Sequence, residues 1–299
     1  MTDPTLEEEI RRVGTELAAA FPSAARHPLK AIDAKAMDLA SQDEELRAAL
    51  FRFVDVVPAC RSLDDLAAHL TGFLDEVGDA PPPLARAVAL ADRSAAGRKA
   101  LGAAAAAGVR HMAHRFIVAE TPHAAGQLVR RLWHRGVATS VDLLGEATVT
   151  TDEADRYAQR CHEALDRLAA VHEDLPHRLH LERDGHGPLP RPNLSVKVSA
   201  LTPLLRAEAP ERGMRDAGAR LAELLRHAHE VGAHLHIDME SLDSREAIVD
   251  LVLALLAEER FADGPSAGMV LQAYLRDSDE LLERLLAWAA ATPRRQPLV

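Results

Sequence analysis

The rhythm of the sequence changes near residue 112, and this change constrains the fold more than any other feature. Residues 1–111 have the apolar periodicity of helices alone, whereas short β-type runs alternate with long helical runs from residue 112 onward. Repeated β–α units form a parallel sheet, which is either doubly wound or closed into a barrel. The predicted strands are 114–119, 137–143, 194–200, 233–239 and 268–274.

The helices predicted between these strands have recognisable ends. Gly136 follows a helix predicted over 124–135, and Gly232 follows one predicted over 214–231. Both glycines match the preference of helices for a glycine just after the last turn. The other predicted helices begin near Ser41, Ser62, Thr151, Asp243 and Asp277.

The first 111 residues contain no catalytic motif. We expect them to serve as a scaffold, an oligomer contact or a cover for another domain. The Ala-rich segment 84–109 is predicted to be helical because alanine is the best helix former, with interruptions near Gly97 and Gly102.

Polar and apolar side chains alternate along the predicted strands. Val196 and Val198 oppose Lys197, because successive strand residues point to opposite faces. Polar side chains on the same face of the other strands are Asp142, His234, His236, Asp238, Gln272 and Tyr274. A doubly wound sheet needs two apolar faces, so this pattern favours a β/α barrel with its site at the C-terminal ends of the strands. The first βα turns also lack the Gly-x-Gly-x-x-Gly motif of a dinucleotide-binding fold.

Composition and charge argue against several classes of protein. The chain has 35 Lys+Arg against 46 Asp+Glu and a formal net charge of -11, unlike the basic footprint of a nucleic-acid-binding protein. Cys60 and Cys161 provide neither a disulfide framework nor a cysteine-based zinc site, and they suggest a reducing compartment. The acidic N-terminus lacks the apolar run of a signal peptide, and no apolar run is long enough to predict a membrane span.

Lys197 is the first candidate site residue, because an inward-facing ammonium is costly unless it is paired. Its expected partner is Asp238, at the C-terminal end of the next predicted strand. Such a pair in a barrel mouth could bind a carboxylate, form a Schiff base, position a cofactor or act only as a structural ion pair. Asp142 and Glu146 flank a tight turn at Gly145, where Glu146 could reach over the mouth or simply begin a helix.

The residues alone leave two other classes of function open. His234 and His236 share one strand face, so with Asp238 they form a candidate metal site of a hydrolase or lyase, although both also suit the interior of a barrel. A Schiff-base lyase would use Lys197 instead. The other class is a non-catalytic binding or assembly module.

Five motifs occur in order from residue 115 to residue 274. They are Arg115-Phe-Ile, Val141-Asp-Leu-Leu-Gly-Glu-Ala147, Leu194-Ser-Val-Lys-Val-Ser-Ala-Leu201, Ile237-Asp-Met-Glu240 and Leu271-Gln-Ala-Tyr274. Together they resemble the proline dehydrogenase family. Residues 1–111 resemble the helical arm and helical domain of the bifunctional proline utilization flavoenzymes, which fuse proline dehydrogenase to glutamate semialdehyde dehydrogenase. Residues 112–299 then correspond to the N-terminal part of the proline dehydrogenase β/α barrel.

The resemblance implies FAD-dependent oxidation of L-proline to 1-pyrroline-5-carboxylate, with the electrons passed to a quinone. It implies catalytic roles for Lys197 and Asp238, and contacts with FAD for Asp238, Met239 and Gln272. The residues it assigns to the substrate are Lys197, Glu146, Asp142 and Tyr274. No metal site is expected in such an enzyme.

The resemblance also implies a setting for the protein. We expect a cytoplasmic enzyme with peripheral contact at the inner membrane face, no nucleic-acid partner and a homo-oligomeric full-length form. The chain stops at Val299, where the family's sixth barrel strand would begin, so about five of eight strands are expected. We therefore expect these 299 residues to be the N-terminal piece of a longer enzyme.

Overall fold

The computed structural model of the protein describes residues 4–21, 43–77, 82–91, 93–114, 116–144, 148–185 and 187–292. The chain forms two compact units, Met1–Phe116 and Ile117–Val299. The domain roles expected for residues 1–111 and 112–299 remain predictions.

The described part of the first unit is helical. Its helices are α1 (Pro4–Ala20), α2 (Glu44–Val56), α3 (Leu63–Asp75), α4 (Pro82–Ala91) and α5 (Ala95–Ala113). Side-chain oxygens cap three of them: Asp43 accepts from Leu46 N at the start of α2, and Ser62 and Ser94 do the same for α3 and α5. Buried apolar side chains from α2, α3 and α4 and from Val77 form the core of this unit; they are Leu46, Ala49, Phe53, Leu66, Leu70, Leu74, Val77 and Val88.

Gly102 does not interrupt its helix, contrary to the sequence prediction. It lies buried within α5, and the break in the predicted segment 84–109 falls between Ala91 and Ala95 instead. A Cβ at Gly102 would lie 2.0 Å from the carbonyl oxygen of Leu63, the first residue of α3. The glycine is therefore required by the close approach of two helices.

The second unit alternates helices with parallel strands. Its helices are α6 (Pro122–His134), α7 (Thr151–Glu173), α8 (Leu179–Glu182), α9 (Pro210–Glu230), α10 (Arg245–Leu256) and α11 (Ser278–Ala291). Its strands are β1 (Val141–Asp142), β2 (Asn193–Lys197), β3 (His234–Asp238) and β4 (Ser266–Met269). Short 3₁₀ helices cover Val57–Ala59 in the first unit and Val198–Leu201 and Glu259–Phe261 in the second. In the described part of the chain, no helix is both long and apolar enough to cross a membrane.

The four strands of the described residues form one sheet in the order β1-β2-β3-β4, with every neighbouring pair parallel. Gly136 and Gly232 have φ angles of 79° and 65° just after α6 and α9, as their positions in the sequence predicted. An α/β fold with a parallel sheet is therefore confirmed.

One face of the sheet is apolar and lies in the core of the second unit. Leu194 pairs with Leu235, and Val196 pairs with Ile237, so these four side chains share a face and are fully buried. Helices α7, α9 and α10 contribute further buried residues of the same cluster; among them are Leu165, Leu168, Leu221, Leu224, Leu225, Ile248, Val252 and Leu256. The opposite face carries the polar residues and remains available for a site.

Several predicted strands are wrong in extent. Of the predicted strand 137–143 only Val141–Asp142 forms a strand, and the predicted strand 194–200 ends at Lys197, where the 3₁₀ helix Val198–Leu201 follows. Residues 116–119 of the predicted strand 114–119 form no strand, and Phe116 is 80% exposed, so β propensity alone did not produce a pairing there. The predicted strand 268–274 is replaced by β4, which ends at Met269. Gln272 then hydrogen-bonds across to the end of β3 instead of continuing the ladder.

We expect Gly102→Ala to destabilise the first unit by about 1–3 kcal/mol, because the new methyl group overlaps the Leu63 carbonyl. Gly108→Ala is the matched control: it lies in the same helix, is exposed and has no atom within 4 Å of the added Cβ. The control should stabilise the helix by up to about 1 kcal/mol. Urea unfolding measures both, and equal effects of the two substitutions would contradict the close-approach argument.

Candidate active site

The C-terminal ends of three strands bring charged side chains together. Asp142 ends β1, Lys197 ends β2 and Asp238 ends β3, and Lys197 is the direct register partner of Asp238. Paired residues in adjacent parallel strands point to the same face, so these three side chains converge on the polar face. The sequence placed Lys197 in the middle of a strand, whereas the structure places it at the end, where β2 passes into a 3₁₀ turn.

The ammonium of Lys197 lies between carboxylates. Its Nζ is 2.9 Å from both oxygens of Asp142, 2.9 Å from Oδ2 of Asp238 and 3.6 Å from Oε1 of Glu240. The Lys197 side chain is only 7% exposed, while that of Asp142 is 45% exposed. The predicted Lys197–Asp238 pair is thus present, and the structure adds Asp142 and Glu240 to it. One positive charge faces three acidic groups.

The electrostatics of this cluster keep Lys197 protonated. Burial alone would lower its pKa, but the hydrogen bonds to Asp238 and Asp142 outweigh burial and raise the pKa above its usual value. Burial likewise tends to raise the pKa of Asp238, yet the hydrogen bond from Lys197 holds it below its usual range. A Schiff base requires a neutral amine, so this environment disfavours the Schiff-base hypothesis for Lys197.

Tyr157 of α7 supports the strand end that carries Lys197. Its buried hydroxyl accepts a hydrogen bond of 3.1 Å from the backbone N–H of Lys197. Strand β1 ends at Asp142, opposite Ser195, so Tyr157 supplies an acceptor where the β1–β2 pairing has stopped. Burial raises the pKa of Tyr157, and raises that of the neighbouring thiol of Cys161 to about 12. Sequence reasoning missed Tyr157. Its one signal was that it lies four residues before Cys161, so that both side chains share one face of the helix.

His234 and His236 lie deeper along the polar face of β3. Nδ1 of His234 is 2.8 Å from Oγ of Ser266 on β4, and its Nε2 is 3.4 Å from Nδ1 of His236. Burial, with a smaller effect of His236, lowers the pKa of His234 to about 4, and burial lowers the pKa of His236 as well. Among the described residues, no group of three or more histidines, cysteines or acidic residues is arranged to hold a metal ion.

The remaining predicted site residues occupy different positions. Met239 is buried just after β3, and Gln272 donates from Nε2 to its carbonyl oxygen over 3.0 Å. Tyr274 is 79% exposed in the turn that follows. Glu146 and the adjacent Gly145 lie outside the described residues. The cluster at the strand ends therefore unites Asp142, Lys197 and Asp238, with Met239 and Gln272 beside it.

We expect acid to weaken the second unit through His234. Its pKa falls from 6.5 to about 4 on folding, so at intermediate pH the unfolded chain binds a proton that the folded chain does not. The stabilisation is complete above the unfolded pKa and declines as pH falls towards the folded pKa, by about 3 kcal/mol in total. Unfolding by urea near pH 7 and near pH 4.5 should show a smaller acid loss for His234→Asn than for the wild type. Equal losses would show that His234 titrates normally in the fold.

Two family models match the chain. The model described as Proline utilization A N-terminal domain matches residues 7–116, and the model described as Proline dehydrogenase matches residues 125–298. The second match covers more than half of the chain.

Curated and solved proteins agree with these matches. The bifunctional protein PutA of Salmonella typhimurium is 29% identical over 187 residues, which are 62% of this chain and 13% of that protein. Proline dehydrogenase 1 of Bacillus subtilis strain 168 is 26% identical over 182 residues, 61% of this chain and 51% of that protein.

The crystal structure of proline utilization A from Bdellovibrio bacteriovorus, inactivated by N-propargylglycine, is similar to this chain with a TM-score of 0.75 and 28% identity. The match covers 88% of this chain and 25% of the Bdellovibrio chain, so this chain spans about a quarter of that protein. By the family models, the relatives and the solved structure, the chain belongs to the proline dehydrogenase family.

Proposed function

We propose that this chain binds L-proline and the reactive end of FAD, and acts in the oxidation of proline to 1-pyrroline-5-carboxylate. The observation that carries the proposal is the buried ammonium of Lys197, held among acidic groups at the C-terminal ends of the strands in a member of this family. Parallel β/α folds hold their ligands at that end of the sheet.

The sheet itself is proposed to be part of a β/α barrel. Its two faces differ: one is fully buried among helices, and the other bears Lys197, His236 and Ser195. A barrel needs this asymmetry, since its inner face surrounds the site while its outer face packs on helices.

Proline as a zwitterion complements this cluster. The carboxylate of proline would accept a hydrogen bond from Lys197. Because the ammonium has only three donors, Asp142 must then give up one of its two hydrogen bonds with Lys197. Asp142 is the more exposed of its two hydrogen-bonded partners and hence the one that can move. Glu146 and Tyr274 are proposed to complete the substrate site, and Asp238 to keep Lys197 charged and aligned.

The residues after β3 and β4 suit the ring of a flavin. The amide of Gln272 is oriented by its bond to the Met239 carbonyl, and among the described residues its Oε1 has no hydrogen-bond partner. An oriented amide with an open oxygen can accept from a ring N–H, and the buried Met239 gives an apolar contact. When bound, FAD supplies the acceptor for the electrons that leave the proline carbon next to nitrogen. The chain's own residues orient the substrate and hold its charges.

The setting of the reaction is part of the same proposal. Electrons would pass on to a quinone, which requires at least transient contact with a membrane surface. The protein is proposed to act as a cytoplasmic homo-oligomer, with a glutamate semialdehyde dehydrogenase fused to the proline dehydrogenase.

In the complete gene product, Lys197→Met should raise the KM for proline by about 10- to 100-fold, the value of one lost charge-assisted hydrogen bond. Lys99→Met, at an exposed position in α5, is the control and should leave KM unchanged. The lost cation leaves acidic groups unpaired and can destabilise the fold, so the melting temperature of the variant is measured as well. A second variant, Lys197→Arg, tests whether positive charge alone restores proline binding. A folded Lys197→Met enzyme with an unaltered KM would refute the assignment. A wild-type product that retains no flavin would instead favour the non-catalytic module.

Glu146 is expected to control access to the site. Glu146→Ala should raise the KM for proline more than it slows single-turnover reduction of the flavin at saturating proline. Stopped-flow absorbance of the flavin separates the two effects. Equal losses in both would place Glu146 in the chemical step instead.

A further inference from the structure

A second charged cluster joins the loops that follow β3 and β4. Arg245, the first residue of α10, is 7% exposed. Both terminal nitrogens of its guanidinium donate hydrogen bonds to the carboxylate of Asp277, and the Nη1–Oδ1 distance is 2.9 Å. Its Nε also donates to Oε1 of Glu246 over 3.1 Å. A fork of this kind fixes distance and orientation together, which a single contact does not.

The position of Arg245 runs against local preference. A cation in the first turn of a helix meets the positive end of the helix dipole, where acidic residues are favoured. The hydrogen bonds to Asp277, together with those to Glu246, offset this cost and raise the pKa of Arg245. The arginine is therefore accounted for by its tertiary contact and not by the needs of its own helix.

From Asp277 the contacts continue to the loop that contains Gln272. Ser278, the next residue, is buried, and its Oγ lies 2.7 Å from the carbonyl oxygen of Gln272 and 2.8 Å from that of Leu275. The backbone N–H of Leu275 also donates to the Gln272 carbonyl over 3.1 Å. The start of α11 thus holds the backbone of Gln272 from one side.

The side chain of Gln272 is held from the other side. Its Nε2 donates to the Met239 carbonyl, while the N–H of Met239 bonds Oδ1 of Asp238 over 2.8 Å. An unbroken line of contacts accordingly runs from Arg245 through the loop to the Lys197–Asp238 pair.

We propose that Arg245 is a positioning residue, which acts through Asp277 and Ser278 to set the orientation of the Gln272 amide at the flavin. This inference rests on the proposed function, because the flavin contact of Gln272 belongs to that proposal. Arg245 touches neither substrate nor cofactor; it determines where the open oxygen of the amide points.

The first measurement follows the amide without any flavin. The sequence has five glutamines, so selective ¹⁵N labelling resolves the side-chain amide of Gln272 by NMR. Arg245→Met should shift this signal and speed its exchange with water, and Arg245→Lys should do the same because it keeps the charge but loses the fork. Arg284→Met is the matched control, because Arg284 bonds Glu246 and Asp250 in the same cluster but not Asp277. In this variant the Gln272 amide signal should match that of the wild type.

The second measurement uses the complete gene product with FAD. Loss of the oriented amide should raise the FAD dissociation constant about tenfold in Arg245→Met, the effect of one hydrogen bond, and change the visible absorbance band of the bound flavin. Arg284→Met should leave both unchanged. If Arg245→Met proves unstable, Ser278→Ala breaks the line at one hydroxyl and should give the same changes.

The outcomes separate the inference from the proposed function. A Gln272 signal unchanged in both Arg245→Lys and Ser278→Ala would overturn the positioning role. A shifted signal with unaltered FAD affinity and flavin spectrum would also overturn it, since the amide would then not matter to the flavin. A wild-type product that binds no FAD would refute the proposed function, while the NMR measurement would still decide whether Arg245 orients Gln272.

Discussion

The burial of one ammonium among carboxylates organises this fold at its functional end. A lysine that is 7% exposed is tolerable only when its charge is compensated. Three carboxylates from two segments supply the compensation: Asp142 from β1, and Asp238 and Glu240 from the end of β3 and the residues just after it. The strands must keep their parallel register for these groups to meet at Lys197, so the polar cluster and the sheet specify each other.

The apolar face supplies the rigidity that the charged cluster needs. The side chains on this face, Leu194, Val196, Leu235 and Ile237, are fully buried against helices, and this apolar packing fixes the positions of the strands. Tyr157 links the two sides, because it belongs to the helical layer yet bonds the backbone of Lys197. Packing on one face thereby positions charge on the other, and a site on regular elements is more sharply defined than one on loops.

Much of this could be predicted from the sequence, for identifiable reasons. Period-two alternation placed Lys197 and Asp238 on one face, and glycines marked the ends of α6 and α9. The extent of strands was less predictable. Residues 116–119 have β-forming side chains but no partner strand. Strand β4 ends before Gln272, whose carbonyl oxygen is bonded by Ser278 at the start of the next helix. Gly102 was misjudged because only the neighbouring helix shows why a glycine is needed.

By itself, the sequence determined the α/β class, the helix boundaries that capping residues mark and the identity of the charged pair, because these follow from local periodicity and from the cost of an unpaired charge. The tertiary structure alone decided that Asp142 shares Lys197, that Tyr157 completes the strand end and that Arg245 reaches Asp277 across 32 positions. These contacts join residues distant in the chain, and their geometry depends on how strands and helices pack, which local preference does not encode.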